Sequence, residues 1–180
     1  MSVKHSILAI LASGPSFGYQ LKKEFEELTV GIWPINDGQI YTTLARLQRD
    51  GLVEEIDEGE QKMVRLTDSG RSALDEWMGQ TRPPATTDRD ELTLKVAFAL
   101  SRPGLLDHNQ LLSLVDRQRI DATASLQRLT RLKARLEDGD LGQATVLDAA
   151  AQRITAELRW LDVVEQRIAD SKRLDIGSKP

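Results

Sequence analysis

Residues 35–56 read INDGQIYTTLARLQRDGLVEEI, a segment that must fold as a helix and then, within a few residues, stop being one. Asn36 and Gln39 stand in the capping-box relation, a polar cap and a glutamine three residues later that satisfy each other's backbone amides. Asp37 in the first turn suits the positive end of the helix dipole. Ile40, Leu44 and Leu47 share one face at spacings of four and three, and Gly51 can take the left-handed conformation that closes a helix. Val53 and Ile56 then flank an acidic loop around Gly59, and Val64 and Leu66 alternate with Met63, Arg65 and Thr67. Two short strands joined by a polar loop are expected.

The neighbouring segments complete a pattern. Residues 3–12, VKHSILAILA, form a short helix with an apolar face of Ile7, Leu8, Ile10 and Leu11. After the break at SGP, Ser16 is expected to cap a second helix, FGYQLKKEFEEL. Its Phe17, Leu21, Phe25 and Leu28 make a core-facing stripe, with Lys22 and Lys23 toward the outside. Pro34 disfavours helix before it. DSGRSALDEWM gives a further helix with Leu74, Trp77 and Met78 facing inward. Three short helices, a hairpin and a helix is the order of a winged helix-turn-helix.

That topology gives the outer side of the third helix a meaning. At about 100° per residue, Thr42, Arg46 and Arg49 fall opposite the core face, with Thr43 and Gln39 beside it. A helix fits the DNA major groove, where each base pair shows its own donor and acceptor pattern. Gln can pair with adenine, and Arg can pair with guanine or meet phosphate. Threonines can meet base edges or backbone. Gln61, Lys62 and Arg65 near the hairpin tip can approach the minor groove or phosphates, and the helix amides at 37–39 offer a further phosphate site. An exposed Thr-Thr-x-x-Arg face alone is an ordinary solvent face, and winged domains also bind proteins. The alternative is therefore a winged-helix protein-interaction module without specific DNA binding.

Net charge favours a narrow contact over a broad one. The chain carries a formal charge of -4, and residues 1–80 hold 8 Lys/Arg against 13 Asp/Glu, a net of -5. A broad, non-specific nucleic-acid binder would be basic. Cysteine is absent, so there is no disulfide, thiolate metal site or thiol nucleophile, which is compatible with the cytoplasm, the expected location. No apolar run reaches the roughly 20 residues that span a bilayer, and ILAILA reads as a core helix and not a signal peptide. Neither histidine, His5 or His108, sits in a ligand pattern, and there is no Gly-rich phosphate loop or GxSxG. No catalytic residue, metal or cofactor is expected.

The stretches ILAILASGPSFGYQLKKEFEE, GQIYTTLARLQRDGLV and VRLTDSGRSAL, in that order and spacing, resemble the PadR family of bacterial transcriptional regulators over residues 5 to about 78. The combination of GPxxGYxL, GxIYxxLxxLxxxGL and LTxxG carries the resemblance. It implies a regulator, typically a repressor, that binds a double-stranded operator as a homodimer. Some members release DNA on binding small, often aromatic or hydrophobic molecules. The GxIYxxLxxL motif, which enters the major groove in that family, falls on Gly38, Ile40, Tyr41, Leu44 and Leu47. The glycine of GYxL is Gly18, beside Tyr19. The expected DNA-binding set is Tyr19, Lys23, Asn36, Gly38, Gln39, Tyr41, Thr42, Thr43, Arg46, Arg49, Lys62 and Arg65. Two departures stand out. Thr42 occupies a position where many members have proline, and QKMVRLT replaces an aromatic-rich RxYYxLT on the second wing strand.

Beyond residue 80 the organisation is helical. GQTRPPATTDRD is polar with paired prolines, a linker placed at 81–90. ELTLKVAFAL gives a helix with Leu92, Val96, Ala97 and Leu100 inward. A run from about 107 to 138 lacks Pro and Gly, and its stripe comprises Leu111, Leu114 or Val115, Leu126, Leu129, Leu132 and Leu136. After a turn at Gly139 and Gly142, a last helix from about 143 to 172 carries Leu147, Ala150, Ile154, Leu158, Leu161 and Ile168, with Val164 substituting where Glu165 interrupts. Helices this long are too extended for a small monomeric core, and a symmetric dimer is the economical solution. The expected fold is mainly α with a small β-hairpin: a winged helix-turn-helix at 1–80, the linker, and a helical dimerisation and effector domain at 91–174. Trp77, Phe98 and Trp160, with the leucines, are the candidates for lining an apolar effector cavity between protomers, each weighed against a simple core role.

Overall fold

A computed structural model describes the backbone at residues 3–58, 61–81, 90–102, 104–137 and 139–177, with side chains given for these residues except 57, 58, 61 and 171–177. The chain divides into two compact units, Met1–Pro83 and Pro84–Pro180. The linker expected at 81–90 falls almost wholly on 82–89, outside the described residues.

The first unit comprises α1 (Val3–Leu11), α2 (Gly18–Leu28), α3 (Asp37–Arg49), an antiparallel pair β1 (Val53–Glu58) and β2 (Gln61–Leu66), and α4 (Asp68–Gly79). Its core joins Ile7, Leu8 and Leu11 of α1, Leu21 and Phe25 of α2, Ile40, Leu44 and Leu47 of α3, and Val53, Val64 and Leu74. The winged helix-turn-helix order is as expected.

Several local expectations are corrected. Ser16 does not cap α2. Its backbone instead pairs with Val64 in both directions at 2.9 Å, tying the α2 entry to the wing. Phe17 is the cap residue, and its amide donates to Gln20 Oε1 at 3.2 Å. Leu28, at the end of its stripe, is 49% exposed, and Met78 is 69% exposed. Trp77 lies at the rim of the unit, stacked on His5 at a ring separation of 5.0 Å. Leu28, Trp77 and Met78 all lie in the last turn of their helices.

The two ends of α3 follow the local chemistry. Asn36 Oδ1 accepts from the Gln39 amide at 2.8 Å, and Gln39 Oε1 accepts from the Asn36 amide at 3.1 Å. At the other end Gly51 has φ +69°, and the amides of Leu52 and Gly51 donate to the carbonyls of Leu47 and Gln48. This double closure is a Schellman motif. Thr67 then links the stop of α3 to the start of α4. Its hydroxyl donates to the Gly51 carbonyl at 2.8 Å and accepts from the Gly70 amide at 3.0 Å. Gly70 packs so tightly that a Cβ there would lie 2.0 Å from the Leu52 carbonyl oxygen. The LTxxG motif is thus a joint between helix, wing and helix.

The second unit comprises α5 (Glu91–Ser101), α6 (His108–Lys133) and α7 (Leu141–Gly177). Val96, Leu111, Val115, Leu161, Val164 and Ile168 form its core. Asp107 caps α6, exchanging 2.8 Å hydrogen bonds with Gln110. α6 and α7 run antiparallel, joined by Arg119 to Asp162 and Glu165, Gln118 to Glu157, and Lys133 to Asp148. Val164 does replace Glu165 in the apolar series. Ala97 is exposed, and α6 buries Ala122. α6 stops at Lys133, short of 138, and α7 starts at Leu141, so Gly142 lies inside a helix. Gly139 alone makes the turn, at φ +114°. Among the described residues no helix is long and apolar enough to cross a membrane.

Candidate nucleic-acid interface

α3 presents its core residues inward and a polar face outward, as its periodicity requires. Asn36, Gly38, Gln39, Thr42, Thr43 and Arg46 line one shallow groove of about 420 Å³ along this face, together with Val3. The side chains differ in how free they are. Asn36 and Gln39 are engaged in the capping box. The Thr43 hydroxyl donates to the Gln39 carbonyl at 2.6 Å, and the residue is half-buried. Arg49 pairs with Asp50 at 3.2 Å. Thr42 and Arg46 are exposed, and the Arg46 side chain has no hydrogen bond or ion pair among the described residues. On this face Arg46 is the cation ready to take a new acceptor.

α2 supports that face from below. Lys22 Nζ bonds Asp37 Oδ1 at 3.0 Å, fixing the start of α3 against α2, and this hydrogen bond raises the pKa of the lysine. Lys23 pairs with Glu27 one turn on, at 3.5 Å. Tyr19 and Tyr41 are each 57% exposed. Tyr19 stacks on Phe17 at 5.8 Å. Tyr41 lies over Gly18, where a Cβ would meet its ring at 2.8 Å. The glycine of GYxL and the tyrosine of GxIY are therefore two halves of one contact, in which the Tyr41 ring and hydroxyl lie over Gly18.

The wing has a different character. Lys62 Nζ bonds Glu55 Oε2 at 2.8 Å, and Arg65 Nε bonds Glu54 Oε1 at 2.8 Å. Glu54 and Arg65 stand directly opposite in the register. Strand alternation puts the two pairs on opposite faces of the hairpin. Sequence reasoning named the cations and missed their partners. The signal was available in the register, which sets a glutamate across from Arg65.

Each of the three aromatic candidates for an effector site lines a groove within its own unit. Trp77 lines a groove of the first unit with Ile10, Phe25 and Leu28. In the second unit, Phe98 lines a groove of about 960 Å³ with Lys95, Leu105, Leu106 and Arg117. Trp160 lines a separate cavity of about 430 Å³ with Leu92, Gln118 and Glu157. Among the described residues no cluster of three or more His, Asp or Glu could hold a metal ion.

Comparison with known proteins covers both units. Residues 7–76 match the Transcriptional regulator PadR-like family, and residues 89–169 match the Virulence activator alpha C-term family. The Negative transcriptional regulator PadR of Bacillus subtilis (strain 168) is 28% identical over 172 residues, spanning 90% of this chain and 94% of its own. The crystal structure of Bacillus subtilis PadR in complex with operator DNA superposes with a TM-score of 0.72 at 29% identity, covering 92% of this chain and 98% of that one. The complex of the same protein with p-coumaric acid gives 0.74 at 29% identity, covering 93% and 98%.

Proposed function

The chain belongs to the PadR family of transcriptional regulators, of the type with a long C-terminal domain, and on that premise we propose that it represses transcription by binding a palindromic operator as a homodimer. It is a DNA-binding regulator and not an enzyme. In this reading residues 1–80 bind DNA, 81–90 link, and 91–174 dimerise and receive an effector. The observation that carries the operator reading is the outer face of α3, where exposed Thr42 and unpaired Arg46 share one groove above a fully closed core. Arg46 reads guanine, Thr42 meets a base edge, and the Tyr41 hydroxyl meets the backbone. Tyr19, Lys23, Asn36, Gly38, Gln39, Thr43 and Arg49 position the helix against phosphates around them.

A dimer is supported by the second unit, which exposes Leu94, Phe98, Leu105, Ile120, Leu141 and Val163. It also sets two reading helices about one or more turns of DNA apart. Light scattering of the full chain is expected to give twice the chain mass, and a monomer at micromolar concentration contradicts the dimer. The effector is a small aromatic acid, the chemistry of the p-coumaric acid bound by the Bacillus subtilis relative. The groove that sets Phe98, Leu105 and Leu106 beside Lys95 and Arg117 offers apolar and cationic partners for such a molecule.

Selection of genomic fragments by the purified protein tests the function. An enriched imperfect palindrome, released by added aromatic acid, is the expected result. Absence of any enriched duplex at moderate salt overturns it in favour of a protein-interaction module.

A further inference from the structure

The wing contains five acids, Glu54, Glu55, Asp57, Glu58 and Glu60, against two cations, Lys62 and Arg65. Both cations are already bound to wing carboxylates at 2.8 Å. A phosphate that approaches the hairpin meets paired cations and a surplus of negative charge. It must displace a carboxylate before it gains a contact, and it is repelled while doing so. We propose that Glu54 and Glu55 are internal competitors for phosphate: they hold Arg65 and Lys62 away from the DNA backbone, lower the affinity for duplex of any sequence, and leave discrimination to α3. The inference rests on the DNA-binding reading given above.

The geometry favours competition over a purely structural role for these pairs. All four side chains are exposed by a third to two thirds of their surface. Pairs of that exposure contribute little to stability, so removing their acids leaves the hairpin intact. The hydrophobic residues that seat the wing are Val53 and Val64, both buried, and the Ser16–Val64 bridge fastens its base. None of these contacts involves the carboxylates. The pairs sit on opposite faces of the hairpin, Glu55 and Lys62 on the face that carries Val53 and Val64 at its base, and the cations of both pairs remain more than half exposed. A regulator gains from this arrangement, because sequence-independent affinity holds a protein on the many wrong sites of a genome.

The test is a titration of the full-length protein and its Glu54→Gln/Glu55→Gln variant against two short duplexes, the one enriched by selection and a scrambled duplex of the same composition. The variant is expected to bind both roughly fivefold more tightly, with a salt dependence steeper by about one to two released ions. Adding Arg65→Ala and Lys62→Ala to that variant is expected to remove the gain, whereas the same two changes in the unaltered protein have little effect. Circular dichroism checks that the wing variants remain folded. If the protein binds its selected duplex and the glutamine variant matches it in affinity and salt slope, the inference falls while the DNA-binding reading stands. A gain confined to the selected duplex also overturns it. If neither protein binds either duplex, both readings fall.

Discussion

The reading helix and the wing belong to one small unit and carry the same kinds of cation in opposite settings. Arg46 is exposed on α3 with no ion pair among the described residues, while Arg65 and Lys62 are each neutralised across the hairpin by a glutamate. Asp37, in the first turn of α3, is occupied by Lys22 from α2, which removes it as a competitor. The difference shows that a basic residue on a surface is not yet a phosphate contact. What counts is whether its charge is already spent within the protein: Arg49, also on α3, is paired with Asp50, as Arg65 and Lys62 are with glutamates, and Arg46 is not paired among the described residues.

The contrast can be broken at its frame or at its groups. Gly70→Ala has the largest expected effect, about 3 kcal/mol of lost stability, because the added methyl collides with the Leu52 backbone and must push α4 off the wing. A shift of the denaturation midpoint measures it, and an unchanged midpoint refutes the tight joint. Arg46→Ala follows, with roughly thirtyfold weaker operator binding, about 2 kcal/mol, and unchanged stability. Asn36→Ala removes the cap of α3 and is expected to cost about 1 kcal/mol of stability, read by chemical denaturation. Arg65→Ala is the smallest, under about 0.5 kcal/mol in operator affinity, since its partner is a glutamate in the free protein. A large loss at Arg65 would erase the contrast between helix and wing.

Much of the first unit was legible in the sequence because its signals are local. The capping pair at Asn36 and Gln39, the glycine at 51 and the apolar spacing of α3 each act within one or two turns, and the structure contains all three. The roles of Gly18 and Gly70 depend on what approaches from another element, Tyr41 in one case and the Leu52 carbonyl in the other. The motifs contained both glycines without saying why. Partner choice among the many acids was also hidden: Arg65 pairs with the glutamate that the register sets across from it, whereas Lys62 bonds Glu55, diagonal to it. In the second unit, periodicity found the buried positions Leu111, Leu129, Leu147 and Leu161 but passed over Ala122, a small residue outside the leucine stripe that is buried all the same. The three aromatic candidates show the same limit: aromatic character marks a residue that packs, and the positions of Trp77, Phe98 and Trp160 in the grooves they line had no local signal.

The central claim is that the outer face of α3 reads sequence. It is tested most directly by the ratio of affinities for the selected and scrambled duplexes, measured at one salt concentration for the protein and for Arg46→Ala. The account predicts that the substitution collapses the ratio, chiefly by weakening the selected complex. A ratio that stays the same while both affinities fall equally would make Arg46 a phosphate clamp and contradict its place on the reading face.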